Sequence, residues 1–370
     1  MRPHLLVTND FPPKIGGIQN YLWDLWRRLP TEGVTVLTTP YRGAATFDAA
    51  APMRIVRTRD PVLLPHRGLA RQIRSLANEM GAELVLLDPA LPLGVLGPRL
   101  GLSYGVVLHG AEVAIPARLP GFTALMARVL RSASLIISAG GYAAAEARRC
   151  AGAALPIVEV PPGVDTERFV PRDSDERRSI RARYGLDDGP LVVSLSRLVP
   201  RKGVDTVISA VSTLAAGHRG LALAVAGAGR DRARLERLAR DNAATIRFLG
   251  RVSASELPEV MAMGDVFAAP CRSRWTGLEQ EGFGIVFAEA AACGIAAVAG
   301  RSGGSHEAVW HGHTGLVVDR PDETVEVADA ISQLLSDPAR RAEMGSAARA
   351  AATEHFAYDI GARRLVAALS

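Results

Sequence analysis

Pro161-Pro162-Gly163-Val164-Asp165 divides this chain in two. Proline lacks an N–H donor and pushes the residue before it out of the helical region, so the segment reads as a hinge or crossover. Upstream of it, short apolar runs alternate with helical patterns. Strands are predicted at 4–9, 34–38, 84–87, 105–109, 134–138 and 157–160, with helices between them at 18–29, 68–80, 121–131 and 141–149. Downstream, after the charged stretch Arg172 to Arg183, the alternation starts again. Strands are predicted there at 191–195, 221–226, 246–249, 266–269, 296–299 and 316–318, and the last helices near 323–335, 337–350 and 359–369. Strands that alternate with helices make βαβ units and parallel sheets. The expected fold class is therefore α/β, with two doubly wound, Rossmann-like domains facing a central cleft. Such sheets bind ligands outside the carboxyl ends of their strands. The expected domains are 1–165, with the C-terminal helix 352–370 packing back on it, and 166–351.

The bulk numbers agree with a chain of this kind. At 370 residues it is long for one domain, and 48% hydrophobic with 22% charged residues fits a globular protein. A net charge of +5 is mild over this length. It favours phosphates or acidic lipid surfaces as partners, and no aromatic-plus-basic motif asks for nucleic acid. Three cysteines, Cys150, Cys271 and Cys293, have no metal-ligand spacing, which points to a reduced, cytoplasmic location. The N-terminus runs directly into a strand, leaving no room for a signal peptide, and no apolar run reaches about 18 residues, so no transmembrane segment is expected.

The chemistry-bearing residues cluster at predicted strand ends. After the first strand, Lys14-Ile15-Gly16-Gly17-Ile18 opens a helix with paired glycines. Glycine lets an anion approach the backbone and a helix start offers free N–H groups, although a plain structural turn reads the same way. Ser196-Arg197-Leu198-Val199-Pro200-Arg201-Lys202-Gly203 follows a buried strand. Arg197 and Lys202 there can neutralise a leaving diphosphate without a metal, or form an exposed basic loop. Glu281-Gly282-Phe283-Gly284-Ile285-Val286-Phe287-Ala288-Glu289 predicts a helix starting near Gly284. Its free N–H groups face an anion, with one carboxylate before the helix and one in its second turn. A fully helical eight-residue separation spans about 12 Å, too long for the carboxylate pair of a glycoside hydrolase. Leu108-His109-Gly110 places a histidine at another strand end, and Arg301-Ser302-Gly303-Gly304-Ser305 is a further candidate anion or sugar contact.

Two patterns are set aside. His306, His311 and His313 lack a carboxylate or cysteine at a recognised spacing, so no metal site is expected. Asp173-Ser174-Asp175 resembles the metal-binding Asp-x-Asp element of some glycosyltransferases, but it stands just before a helical run, where Asp and Ser cap helices.

Together the residues resemble the retaining GT-B glycosyltransferases of family 4. The resemblance rests on Gly16-Gly17, Pro162-Gly163-Val164-Asp165, Ser196-Arg197-Leu198 with Lys202-Gly203, and the Glu-x7-Glu element from Glu281 to Glu289. Within that family the chain resembles the mannosyltransferases that build phosphatidylinositol mannosides, in particular those adding the second mannose. Leu5 to Pro13, Leu195 to Gly203 and Pro270-Cys271-Arg272-Ser273-Arg274 carry this likeness, and region 45–130 is less similar.

The resemblance implies GDP-mannose as donor, a glycolipid acceptor, retention of configuration, and no cofactor or metal. It implies that His109, Arg197, Lys202 and Glu281 are catalytic. Gly16 and Gly17 would contact the diphosphate, Arg197 and Lys202 would stabilise it as it leaves, and His109 would touch the transferred sugar. Glu281 would hold sugar hydroxyls, with Gly282, Phe283 and Gly284 beside it. Ile285 and Val286 would give amides to the distal phosphate, Glu289 would bind the ribose, and Val252 would lie beside the base. Glu256 is available to guanine, but Ser253-x-x-Glu256 is also a capping box. Arg67, Arg71 and Arg74 fall on one helix face, with Arg54, Arg57 and Arg59 upstream. That cluster either docks a peripheral enzyme on the inner face of the plasma membrane or is a solvated helix face. The alternatives are a UDP-sugar-dependent transferase with a soluble acceptor, a GT-B nucleotide-sugar epimerase, and a non-catalytic sugar-nucleotide-binding protein.

Overall fold

The computed structural model describes residues 1–119, 121–240, 242 and 244–370. The chain forms two compact units, Met1–Gly163 with Tyr358–Ser370, and Val164–Ala357. The helix Pro338–His355 stays in the second unit and the helix Tyr358–Ala368 returns to the first. The return thus falls at Tyr358 rather than at 352, and the first crossing lies after Gly163 rather than Asp165.

The first unit holds a seven-stranded parallel sheet of β1 (His4–Thr8), β2 (Val34–Thr38), β3 (Arg54–Arg57), β4 (Leu84–Asp88), β5 (Tyr104–Leu108), β6 (Leu135–Ser138) and β7 (Ile157–Glu159), in the order β3-β2-β1-β4-β5-β6-β7. Successive side chains point to opposite faces, and both faces are covered. Leu5, Val7, Val85, Leu87, Val106 and Leu108 share one core with Leu69 and Ile73 of the helix Arg67–Met80. Leu6, Val36, Leu86, Val107 and Ile137 share the other with Leu22 and Trp26 of the helix Gly17–Trp26 and with Tyr358 and Leu365. Strands buried on both faces are near-continuous in apolar residues, which is why β1, β4 and β5 stand out in the sequence. β3 does not: it is a four-residue edge strand, Arg-Ile-Val-Arg, whose charges mask its pattern.

The second unit holds a six-stranded parallel sheet of β8 (Leu191–Leu195), β9 (Ala222–Ala226), β10 (Thr245–Gly250), β11 (Val266–Ala269), β12 (Ala297–Gly300) and β13 (Gly315–Val318), in the order β10-β9-β8-β11-β12-β13. One face packs on Phe287 and Ala288 of the helix Ile285–Ala292; the other packs on the helices Val204–Leu214 and Thr324–Ser336. Among the described residues no helix is long and apolar enough to cross a membrane.

Candidate functional site

Both sheets reverse their order beside their first strand: β1 lies between β2 and β4, and β8 between β9 and β11. Connections leave in opposite directions there, so the carboxyl ends of these strands open a crevice. Several candidate residues stand there: Gly16 and Gly17 after β1, Arg197 and Lys202 after β8, and Glu281 after β11.

In the first unit Thr8 ends β1, Asp88 ends β4 and His109 follows β5. The Thr8 hydroxyl donates to Asp88 Oδ2 at 2.5 Å, and Asp88 Oδ1 meets His109 Nε2 at 2.7 Å. The Asp88 side chain is 1% exposed. Tyr21 meets the imidazole edge-on, with centroids 5.5 Å apart, and Glu112 accepts from the backbone N–H groups of His109 and Gly110. Burial alone would lower the basicity of His109. The charge and hydrogen bond of Asp88, with Glu112 and Asp10 behind them, reverse this and leave the imidazole more basic than usual. Its Nδ1 is bonded to no described residue. Asp10 accepts from Gln19 at 2.6 Å, and its carboxyl is raised by burial and by the Asp88 charge. Gly16 and Gly17 open the helix Gly17–Trp26 without a side-chain cap, so its first N–H groups are free of one. Lys14 bridges the Asn9 carbonyl and the Thr39 hydroxyl at 2.8 and 2.9 Å.

In the second unit Arg197 follows β8, is exposed, and forms no ion pair among the described residues. Pro200–Lys202 then makes one tight turn closed by Gly203 at φ 70. A Cβ on Gly203 would lie 2.2 Å from the Pro270 carbonyl oxygen, so only glycine lets the turn rest on the end of β11. The turn directs Lys202 inward, where its ammonium meets Glu281 Oε2 at 2.7 Å. Arg201 contacts the same oxygen and lies 4.0 Å from Glu279, which in turn pairs with Arg274 at 2.8 Å. Burial pushes the Glu281 carboxyl up, but Lys202 and Arg201 overcome this and hold it below the usual carboxylate range. Both cations use Oε2, which leaves Oε1 facing no donor among the described residues.

After Glu281 and Gly282 the chain buries Phe283 against Phe356 (centroids 6.0 Å apart), so Phe283 lends the site backbone and not its ring. Gly284, at φ 78, starts the helix Ile285–Ala292 without a side-chain cap. The Ile285 and Val286 N–H groups have no partner within that helix. Gly304 donates to the Glu281 carbonyl at 3.0 Å, which ties the 301–305 loop to the same place. The Glu289 side chain is partly exposed and has no hydrogen bond or ion pair among the described residues. Burial pushes its carboxyl up to about 7, with Arg168 opposing. Val252 packs partly against the second unit's core.

Thus Lys202 and Glu281 come together, and Arg197 contacts neither. Arg201 is the partner that the sequence reading passed over: of two consecutive cations it chose Lys202, and both reach Glu281. Asp88, Thr8 and Asp10 were also passed over, although all three end or follow strands at the reversal point.

Several secondary readings also resolve. Asp173 caps the helix Ser174–Arg183 in a reciprocal pair with Glu176. Ser253 and Glu256 bond to each other's backbone in the same way. His311 accepts from the Val317 N–H at 2.9 Å, and His313 stacks on Trp310. Arg67, Arg71 and Arg74 are exposed on one helix face. Arg57 does not join them. It is partly buried, grips Asp48 through two bonds at 2.7 and 2.8 Å, and donates to the carbonyls of Thr39 and Pro12. Arg54 pairs with Glu79.

Residues 15–168 match the family model described as Glycosyltransferase Family 4, and residues 176–351 the model described as Glycosyl transferases group 1. The GDP-mannose-dependent alpha-(1-6)-phosphatidylinositol monomannoside mannosyltransferase of Mycolicibacterium smegmatis is 41% identical over 99% of this chain and 98% of its own. The chain belongs to the family 4 glycosyltransferases. A second relative is the GDP-mannose-dependent monoacylated alpha-(1-6)-phosphatidylinositol monomannoside mannosyltransferase of Corynebacterium glutamicum. It is 34% identical over 98% of this chain and 97% of its own. Among solved structures, the Anabaena protein HepE in complex with UDP superposes with a TM-score of 0.82 at 21% identity. It covers 100% of this chain and 99% of that one, which places the fold as GT-B. This glycosyltransferase therefore carries an ionised carboxylate between two cations in one unit and a buried Asp–His pair in the other.

Proposed function

We propose that this glycosyltransferase moves mannose from GDP-mannose to a phosphatidylinositol mannoside or similar glycolipid, with retention of configuration and without a metal. The carrying observation is the likeness to enzymes of that named activity, 41% and 34% identical along essentially the whole chain. The site chemistry supports it. Arg197, exposed past β8, and Lys202 supply positive charge for the leaving diphosphate. The free N–H groups of Ile285 and Val286 take the distal phosphate, and the uncapped helix start at Gly16 and Gly17 suits a diphosphate contact as well. Glu281, kept ionised by its cations, offers Oε1 to sugar hydroxyls. Glu289 accepts from the ribose hydroxyls, a role suited to a carboxylate with no other partner. His109 holds the transferred sugar, and Val252 borders the base. The acceptor is an anionic glycolipid reached at a membrane surface by a cytoplasmic, peripheral enzyme. The exposed Arg67, Arg71 and Arg74 support that location.

The decisive test is incubation with radiolabelled GDP-mannose and membrane lipid extract, followed by separation of products. Label in a phosphatidylinositol mannoside carrying one more mannose is expected, and no lipid-linked label would refute the acceptor. GDP is expected to stabilise the protein in thermal-shift measurements more than UDP or ADP. Turnover is expected to persist in excess chelator, and a clear loss would overturn the metal-free reading.

A further inference from the structure

Arg274–Glu279 is a strained hairpin that turns its one aromatic residue away from the core. Backbone bonds of 2.9 and 3.2 Å run both ways between Arg274 and Glu279. Trp275 and Thr276, at φ 50 and 52, are the two non-glycine residues in the left-handed region among the described chain. A Cβ disfavours that conformation, and a turn shaped only for stability would place glycine there. Trp275 is nevertheless 61% exposed, so its indole contributes little to burial. The Arg274 guanidinium lies over one face of the ring, 4.7 Å from the centroid. At the base, Glu279 pairs with Arg274 and approaches Arg201, which holds Glu281. The strained tip is thus tied to Glu281 through three successive ion pairs, Arg274–Glu279, Glu279–Arg201 and Arg201–Glu281. Strained conformations persist where the surroundings over-determine them, and they gather at ligand-binding sites.

We propose that Trp275 is a stacking platform for a pyranose ring of the carbohydrate substrates, an inference that rests on the transferase reading above. A pyranose presents an apolar C–H face with slightly positive hydrogens, and the indole face is the most electron-rich surface a protein offers. Arg274 occupies one face and fixes the ring, which leaves the other for a sugar. The ring belongs either to the transferred mannose or to the acceptor's carbohydrate.

Trp275→Ala and Trp275→Phe in the full-length protein test this. Saturation-transfer NMR with methyl α-D-mannopyranoside is expected to show contact with the wild type, to lose it in Trp275→Ala and to regain it in Trp275→Phe. This readout does not depend on identifying the donor or the lipid. If the transferred sugar stacks, Trp275→Ala weakens GDP-mannose binding about three- to tenfold and leaves GDP binding unchanged. If the acceptor sugar stacks, KM for the lipid acceptor rises by a similar factor and KM for GDP-mannose does not move. Equal mannoside contact and equal constants in Trp275→Ala and wild type would overturn the proposal, as would absence of contact in the wild type. A failure of donor specificity would appear separately, as absence of GDP binding in every form.

Discussion

Asp88 accepts from Thr8 and holds His109 through Nε2, so it fixes both the orientation and the protonation of the imidazole. Removing its charge in Asp88→Asn leaves burial to dominate. The basicity of His109 then drops, and the basic limb of the pH profile of kcat/KM moves to lower pH. Loss of one charge-assisted hydrogen bond, about 1.5–3 kcal/mol, corresponds to roughly ten- to hundredfold in kcat/KM. An imidazole NMR titration that does not move in the variant would contradict this account. The sign for stability follows from the raised value: the charged imidazole stabilises the fold fully just below the ordinary histidine range, and less as pH rises through the folded value. Glu289 behaves in the opposite sense. Its carboxyl is pushed up to about 7, so holding it ionised costs stability above that pH. Glu289→Gln is expected to raise Tm at pH 8 by roughly 2–6 °C, to leave it unchanged near pH 4, and to weaken GDP binding. A lower Tm at pH 8 would show that the carboxylate has a stabilising partner. His109 and Glu289 were legible in the sequence because each ends or follows a recognisable pattern. Asp88 was not, since a lone aspartate after an apolar strand carries no sign of the residue it will face 21 positions later.

The Pro200–Gly203 turn decides where Lys202 points, and Gly203 decides whether the turn fits. A side chain there adds a clash with the Pro270 carbonyl to the cost of a positive φ. Gly203→Val is expected to lower Tm by several degrees and GDP affinity by at least about tenfold, since the turn must lift off the strand end. Gly43→Ala is the control: its φ is 78 with nothing within 4 Å of the added Cβ, so it costs strain alone and leaves GDP binding unchanged. Wild-type GDP affinity in Gly203→Val would remove the turn from the site. β8 could be read in advance because all five of its residues are buried and four are apolar, and the helix Ile285–Ala292 because a glycine opens a mostly apolar run. β3 could not, because its two apolar residues, Ile55 and Val56, are only partly buried and lie between arginines, too short a run to stand out. The hairpin Arg274–Glu279 was likewise invisible, since tryptophan and threonine are not turn residues and nothing in their identity announces a left-handed backbone.

For the molecule as a whole, a net charge of +5 says little, because it averages over a surface on which many arginines are paired and others are not. Arg28, Arg57, Arg118, Arg178 and Arg272 all have carboxylate partners. Arg67, Arg71 and Arg74 have none among the described residues, and they stand on a helix whose opposite face buries Leu69, Ile73 and Leu76. Val62 and Leu64, more than half exposed, lie just before that helix. Unpaired cations beside exposed apolar side chains suit the headgroup region of an anionic bilayer, where each arginine contributes about 1 kcal/mol. The triple substitution of these arginines by alanine is therefore expected to weaken binding to phosphatidylinositol vesicles roughly 100-fold in sedimentation assays. Wild-type binding should fall as salt rises, because exposed charges are screened. GDP binding should not change, since none of the three lies at the strand ends proposed to bind the donor. Activity should fall on lipid presented in vesicles and recover on acceptor dispersed in neutral detergent, where no charged surface has to be found. Equal vesicle binding by the triple variant and the wild type would return these arginines to the role of a solvated helix face and leave the route to the acceptor to another surface.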